Sequence, residues 1–173
     1  IPKAIHLGQW QDFTQEVKGV RGLLIKNPKF IIDKFNSFGI HPKKNIVIYG
    51  DPDDPWRTDG RFFWMFERFG FNKVTIYEGG LKNWKNSGEK LEFGQGSALA
   101  KPLLTVKDIR FNDQVSAEQQ WILERLDSKT LAIIDNRTRD EYLGAMPYGS
   151  PRGGHIPNAV HIYWPDFFLP SGH

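Results

Sequence analysis

The sequence predicts an α/β fold with a mostly parallel sheet, and two observations lead there. Short runs rich in Val and Ile recur at residues 4–7, 46–49, 74–77, 131–134 and 160–163. They lack clean apolar/polar alternation, as strands buried on both faces of a parallel sheet do. Between them, apolar residues fall at helical spacing and stop at a glycine. Strands that alternate with helices give α/β architecture with right-handed crossovers.

The helices follow in order. Ile31, Phe35 and Phe38 stand at i, i+4 and i+7 and predict a helix ending at Gly39, ahead of His41-Pro42. Phe62, Phe66 and Phe69 repeat the pattern, with Gly70 as the stop. Residues 81–87 predict a short helix closed by Gly88. Ser116 and Gln119 have capping-box spacing and open a predicted helix through Leu126. Residues 94–101 are mostly small, with Pro102 behind them, which is linker composition. We therefore expect one domain over 1–96, a linker over 97–102 and a second part over 103–173.

A short internal repeat supports two related parts. "IPKAIHLGQW" opens the first and "HIPNAVHIYW" lies near the end of the second. Both read Ile-Pro-x-Ala-(Ile/Val)-His, then an apolar residue, with a closing Trp. The copies occupy different places in their parts. The first part is thus expected to lack its opening strand, and the second its closing half.

Composition excludes several classes. Hydrophobic residues make up 39 % and charged residues 25 % of 173, a globular balance. The 13 Phe and 6 Trp supply apolar area for a core. No apolar run approaches the ~18 residues of a membrane span, and no Lys/Arg cluster marks a nucleic-acid surface. The net charge of +3 suits a small anionic substrate. Cysteine is absent, which excludes disulfides and cysteine-ligated metal within these residues. The chain opens on Ile1 with no signal-peptide pattern, and compartment is left open between cytoplasm and periplasm.

No metal or cofactor is expected. His155, His161 and His173 have no acidic partner at ligand spacing. Asp51, Asp53, Asp54 and Asp59 form an acidic loop, but Pro52 and Pro55 interrupt it and no Gly or Glu falls at calcium-loop positions. It reads as solvated. Gly94 and Gly96 give only Gly-x-Gly, too little for a phosphate fingerprint.

Four segments carry a family resemblance. "LAIIDNRTRDEYLG" has a strand, an Asp-x-Arg pair and an acidic-aromatic-apolar-Gly helix. "RGGHIPNAVHI" is similar to a Gly-His-Ile-Pro-Gly-Ala signature, with Asn158 in place of the usual Gly. "NIVIYG" is a strand leading into a loop. "VTIYEGGLKNW" is a strand, Gly-Gly and a Trp-bearing helix. Together they resemble the two-domain rhodanese sulfurtransferases over nearly the whole chain. The resemblance implies a rhodanese-like three-layer α/β/α fold, one nearly complete domain and the first part of a second.

It also implies sulfur transfer from thiosulfate or mercaptopyruvate to a thiol or cyanide through a cysteine persulfide. The loop after residue 49 is where such a thiolate would stand, and Gly50 occupies that place. No catalytic residue is therefore expected in this chain. Asp135, Arg137, Glu141 and His155 are expected to support the active cleft, with Asp135–Arg137 as a fixing salt bridge. Glu141 falls where some members carry a substrate-binding Arg. The expected partners are the anionic donor, the acceptor and the remainder of the second domain, attached or separate. The alternative is a non-catalytic rhodanese-like binding or regulatory module. A dual-specificity phosphatase shares the fold, but needs a Cys in a longer loop.

Overall fold

The computed structural model describes residues 1–94 and 103–168. The chain divides into two compact units, Ile1–Ser116 and Ala117–His173. Among the described residues no helix is long and apolar enough to cross a membrane.

The first unit opens on a turn in which the Ala4 N–H donates to the Ile1 carbonyl at 3.2 Å. The run 4–7, expected as a strand, is irregular. A 3-10 turn at Trp10–Phe13 leads into an antiparallel hairpin of β1 (Thr14–Val17) and β2 (Val20–Leu24), which the sequence pattern did not predict. Lys18 and Gly19, both at positive φ, make its turn.

Helix α1 (Pro28–Phe38) forms where the Phe spacing places it. The Asn27 side chain caps it by accepting from the Lys29 and Phe30 N–H groups, and Pro28 supplies a preset φ at the first position. Gly39 closes it at φ 67°, a left-handed cap. Strand β3 (Ile46–Ile48) pairs in parallel with β4 (Val74–Ile76), and α2 (Thr58–Arg68) connects them. Helix α3 (Gly80–Asn86) follows. Phe13, Ile31, Phe35, Met65, Phe66 and Phe69 are fully buried at the centre, with Phe35 stacked on Phe66 at 5.3 Å between ring centroids. The strands are not buried on both faces as expected: Val47 is 62 % exposed. Helix α2 packs on the face formed by Ile46 and Ile48, while Val47 and its partner Thr75 face outward.

Residues 103–116 pack on this first unit rather than opening the second. Leu104 is 2 % exposed, and Asn36 both donates to its carbonyl at 3.1 Å and accepts from its N–H at 2.6 Å. The Trp64 indole donates to the Val115 carbonyl at 2.6 Å, and Arg68 donates to Asp113 at 2.6 Å. The Phe111 ring meets Phe69 edge-on. The boundary thus follows Ser116 and not residue 102. The expected linker, 97–102, lies outside the described residues.

The second unit holds α4 (Gln119–Leu123), β5 (Ile134–Asp135), α5 (Arg139–Leu143) and β6 (Val160–His161). The Ser116 capping box does not form. Ser116 ends a 3-10 turn by donating its N–H to Asp113, and α4 starts after Glu118 and stops short of Leu126. Strands β5 and β6 pair in parallel, Ile134 beside Val160 and Asp135 beside His161. They cover only the ends of the predicted runs 131–134 and 160–163.

The internal repeat is a repeat of geometry. Ala159 donates its N–H to Ile156 at 3.0 Å, as Ala4 does to Ile1. The residue after Pro is left-handed in both, Lys3 at φ 61° and Asn158 at φ 63°. Proline second and a left-handed third residue is the pattern of a type II turn, where Gly or Asn is at ease. That accounts for Asn158 in place of Gly. The correspondence then runs on, with one residue fewer in the second copy. Trp-Gln-Asp-Phe at Trp10–Phe13 and Trp-Pro-Asp-Phe at Trp164–Phe167 both form 3-10 turns.

Candidate functional site

Two places bear on chemistry: the loop between β3 and α2, and the cluster around the end of β5.

The first loop leaves β3 at Gly50. The Gly50 carbonyl accepts from the Leu81 N–H at 3.0 Å, and a Cβ at Gly80 would strike that carbonyl. The two glycines therefore let the loop lie directly on the start of α3. A Cβ at Gly50 would lie 3.2 Å from the Asp59 Cβ. Asp59 is buried, 3.6 Å from the Arg57 guanidinium. Farther along, Asp54 accepts from the Trp56 N–H and the Thr58 N–H, each at 3.0 Å. Burial pushes the Asp54 carboxyl up, but the Thr58 and Trp56 bonds and the Arg61 charge outweigh it and hold it below the ordinary range. Asp51 accepts from the Asp53 N–H, and Asp53 pairs with Lys82 at 3.4 Å. The acidic loop is exposed at Asp51 and Asp53, as expected, and its carboxylates also fix its own turns. No thiol or hydroxyl stands at Gly50, and the Thr58 N–H that opens α2 already serves the Asp54 carboxylate.

The second cluster gathers Asp135 and Arg137. Arg137 donates through Nε to Asp135 Oδ1 at 2.9 Å and through Nη2 to Oδ2 at 2.5 Å. Its own backbone N–H reaches Oδ1 at 3.1 Å. The Arg137 bonds lower the Asp135 carboxyl below its ordinary value, and they raise Arg137 in turn. Arg137 Nη2 also donates to the Gly154 carbonyl at 2.8 Å, so one guanidinium clips the strand end to the Gly153-Gly154 turn. A Cβ at Gly153 would strike the Gly144 carbonyl. That is the physical reason for Gly153, while Gly154 stands at φ 97°, where a side chain would strain the backbone.

Glu141 does not point its carboxylate outward. It accepts from the Thr138 hydroxyl at 2.8 Å and the Thr138 N–H at 3.2 Å, while its own N–H donates back, a full capping box on α5. His155 lies flat on Tyr142, 3.7 Å between centroids, with Nδ1 2.9 Å from the Tyr142 carbonyl. The structure thus brings Asp135, Arg137 and the Gly154 turn together. It assigns Glu141 and His155 to separate partners. Tyr142 was missed: its hydroxyl donates to the Ala159 carbonyl and its ring meets His161 as well as His155. The aromatic in "DEYLG" was its signal. Among the described residues no group of three or more His, Asp or Glu converges on a metal position.

The Rhodanese-like domain family matches residues 1–87 and 118–171. The chain is 28 % identical to mouse 3-mercaptopyruvate sulfurtransferase over 157 residues, 86 % of this chain and 50 % of that protein. It is 28 % identical to bovine thiosulfate sulfurtransferase over 143 residues, 81 % of this chain and 47 % of that one. The Azotobacter vinelandii thiosulfate sulfurtransferase is 30 % identical over 79 % of the chain and 48 % of its own length. The chain thus spans about half the length of these relatives. In fold it is similar to the Escherichia coli 3-mercaptopyruvate sulfotransferase SseA, with TM-score 0.72 and 23 % identity over 91 % of this chain and 56 % of that one. Saccharomyces cerevisiae Tum1 gives 0.75 and 16 % over 99 % of this chain and 58 % of that one. These likenesses show the rhodanese fold. With matched segments in both units, the chain belongs to the Rhodanese-like domain family.

Proposed function

We propose that these residues belong to a rhodanese-type sulfurtransferase and supply its non-catalytic first unit and the opening part of its catalytic second unit. The whole enzyme would move sulfane sulfur from thiosulfate or 3-mercaptopyruvate to a thiol or cyanide. Its thiolate would attack the outer sulfur, the donor's bond to that sulfur would break with the electron pair leaving on sulfite or pyruvate enolate, and the enzyme would hold a persulfide. That cysteine lies outside the 173 residues, since none of them is Cys.

The observation that supports this division is the contrast between the two places. In the first unit, Gly50 and the Asp59 carboxylate stand after β3. In the second, Arg137 joins Asp135 to the Gly154 carbonyl, so the strand end and the turn that follow the family's motifs are already clamped together. The test is mass spectrometry of the full natural polypeptide after incubation with each donor. One added sulfur, blocked by prior alkylation and released by cyanide, is expected. Absence of sulfur transfer from both donors removes the reading. A binding or regulatory module is the second reading, favoured by the absence of Cys, and predicts that neither donor labels the protein.

A further inference from the structure

Parallel pairing puts the starts of β3 and β4 at one end of the first unit and their finishes at the other. The chain enters these strands through residues 41–45 and 70–73 and leaves β3 through the loop 49–57. Segment 105–113 joins the entry end. Its Asn112 N–H donates to the Arg68 carbonyl at 2.9 Å, a Cβ at Gly70 would strike the Arg110 carbonyl, and Asp108 faces His41 at 3.8 Å. The two ends differ in charge. The exit loop holds Asp51, Asp53 and Asp54 against Arg57. The three entry segments hold Lys43, Lys44, Lys73, Lys107 and Arg110 against Asp108 and Asp113. Both of those acids are engaged. Thr105 donates to Asp108 through its hydroxyl at 2.7 Å and its N–H at 2.9 Å, and Arg68 pairs with Asp113 at 2.6 Å.

The fold itself accounts for part of this charge. Helix C-termini favour cations, and Lys44 donates to the Gly39 carbonyl that closes α1 at 3.2 Å. Lys43 adds to the field that keeps Asp108 ionised. Lys73, Lys107 and Arg110 are exposed and have no carboxylate partner among the described residues. Next to Lys107, Val106 is 66 % exposed. The aromatic rings of the same segments turn inward, Phe71 buried and Phe111 edge-on to Phe69.

We propose that this basic end of the first unit docks an acidic segment of a partner protein. Cations around an exposed apolar residue are the composition of a protein interface, and they steer an acidic partner toward it. A single-stranded nucleic acid would need ring faces to stack on, and this end keeps its rings inside. The proposal goes beyond sulfur transfer and does not rest on it.

Fluorescence anisotropy on the full natural polypeptide tests it, with a short labelled peptide of Glu and interspersed Leu as the probe. Binding that weakens with added salt is expected. Lys73→Glu and Lys107→Glu should each weaken it about three- to tenfold. Lys29→Glu makes the same charge change at the other end of α1 and should leave binding unchanged. Val106→Ser should weaken the peptide but not a single-stranded RNA of equal charge. All these side chains are exposed, so the variants should keep the parent's melting midpoint, which separates lost docking from lost fold. No binding of the peptide, or an equal loss in Lys29→Glu, would overturn the proposal. So would RNA that binds more tightly than the peptide, because the partner would then be a nucleic acid. So would a salt-sensitive dimer that Asp51→Lys and Lys107→Glu each dissociate, because the acidic loop of a second copy would then be the occupant. None of these readouts depends on activity, so failure of the proposed sulfur transfer stays distinguishable.

Discussion

At Gly50 a side chain would enter space that Asp59 already fills, with the Asp59 Cγ 3.3 Å and Oδ2 3.4 Å from an added Cβ. Gly50→Cys would therefore set a thiol against a buried carboxylate. Desolvation and a nearby negative charge both disfavour thiolate, so the thiol pKa should lie above about 8.5. We expect no thiosulfate-dependent gain of sulfur in the variant by intact mass, and a stoichiometric gain would show the loop competent after all. Asp135 gives a pH prediction. Its folded-state carboxyl is lowered, chiefly by the Arg137 side-chain bond. A lowered acid stabilises the fold above its unfolded value, about 3.9, and that stabilisation is lost as pH falls through the lower folded value. The protection of residues 134–137, with the intrinsic exchange rate at each pH divided out, should therefore fall on acidification below about pH 4. In Asp135→Asn that acid limb should be absent. Arg137→Ala should cost about 1–3 kcal/mol of local opening at neutral pH, because a nearly buried carboxylate loses its partner. Arg137→Lys should recover part of it, as one ammonium cannot reach both carboxylate oxygens and the Gly154 carbonyl with the same fork.

Elements were legible where side chains repeat with the helix and a glycine closes it. The Phe pattern placed α1 and α2, and Asn27-Pro28 and Gly39 fix the ends of α1. Asn27→Ala should cost about 1 kcal/mol of first-unit stability in a denaturant melt, the usual worth of a cap. The β1–β2 hairpin was not legible. Only Leu24 of its two strands is buried, so no apolar alternation marks it, and its left-handed Lys18-Gly19 turn was the one local sign. The segment 103–116 was misplaced for a different reason. Its hold on the first unit comes from single side chains meeting single backbone groups far apart in sequence, Asn36 with Leu104 and Trp64 with Val115. No local period encodes that.

At the scale of the molecule, motif order and the Ile-Pro-x-Ala repeat revealed a two-part chain of the rhodanese family, while the boundary between the parts depended on tertiary packing. A parallel strand with a helix on one side, as β3 has, cannot be told from one covered on both by its apolar run alone; Val47 shows the difference only in three dimensions. The boundary can be tested directly. If residues 103–116 complete the first unit, a chain shortened to 1–116 keeps Leu104 over the core and the Trp64–Val115 bond. A chain shortened to 1–96 loses both. Removing the buried Leu104 side chain alone is worth about 2–5 kcal/mol, and each kcal/mol moves the midpoint of a domain this size by roughly 4–8 °C. Trp10 and Trp64 report the melt by fluorescence, since both belong to the first unit. The 1–116 chain should melt within a degree or two of the first transition of the whole chain, and the 1–96 chain at least about 8 °C lower or without a transition. Equal midpoints for the two shortened chains would return the boundary to residue 102 and make 103–116 an appendage. A lowered midpoint for 1–116 as well would instead show that the first unit draws stability from residues beyond Ser116.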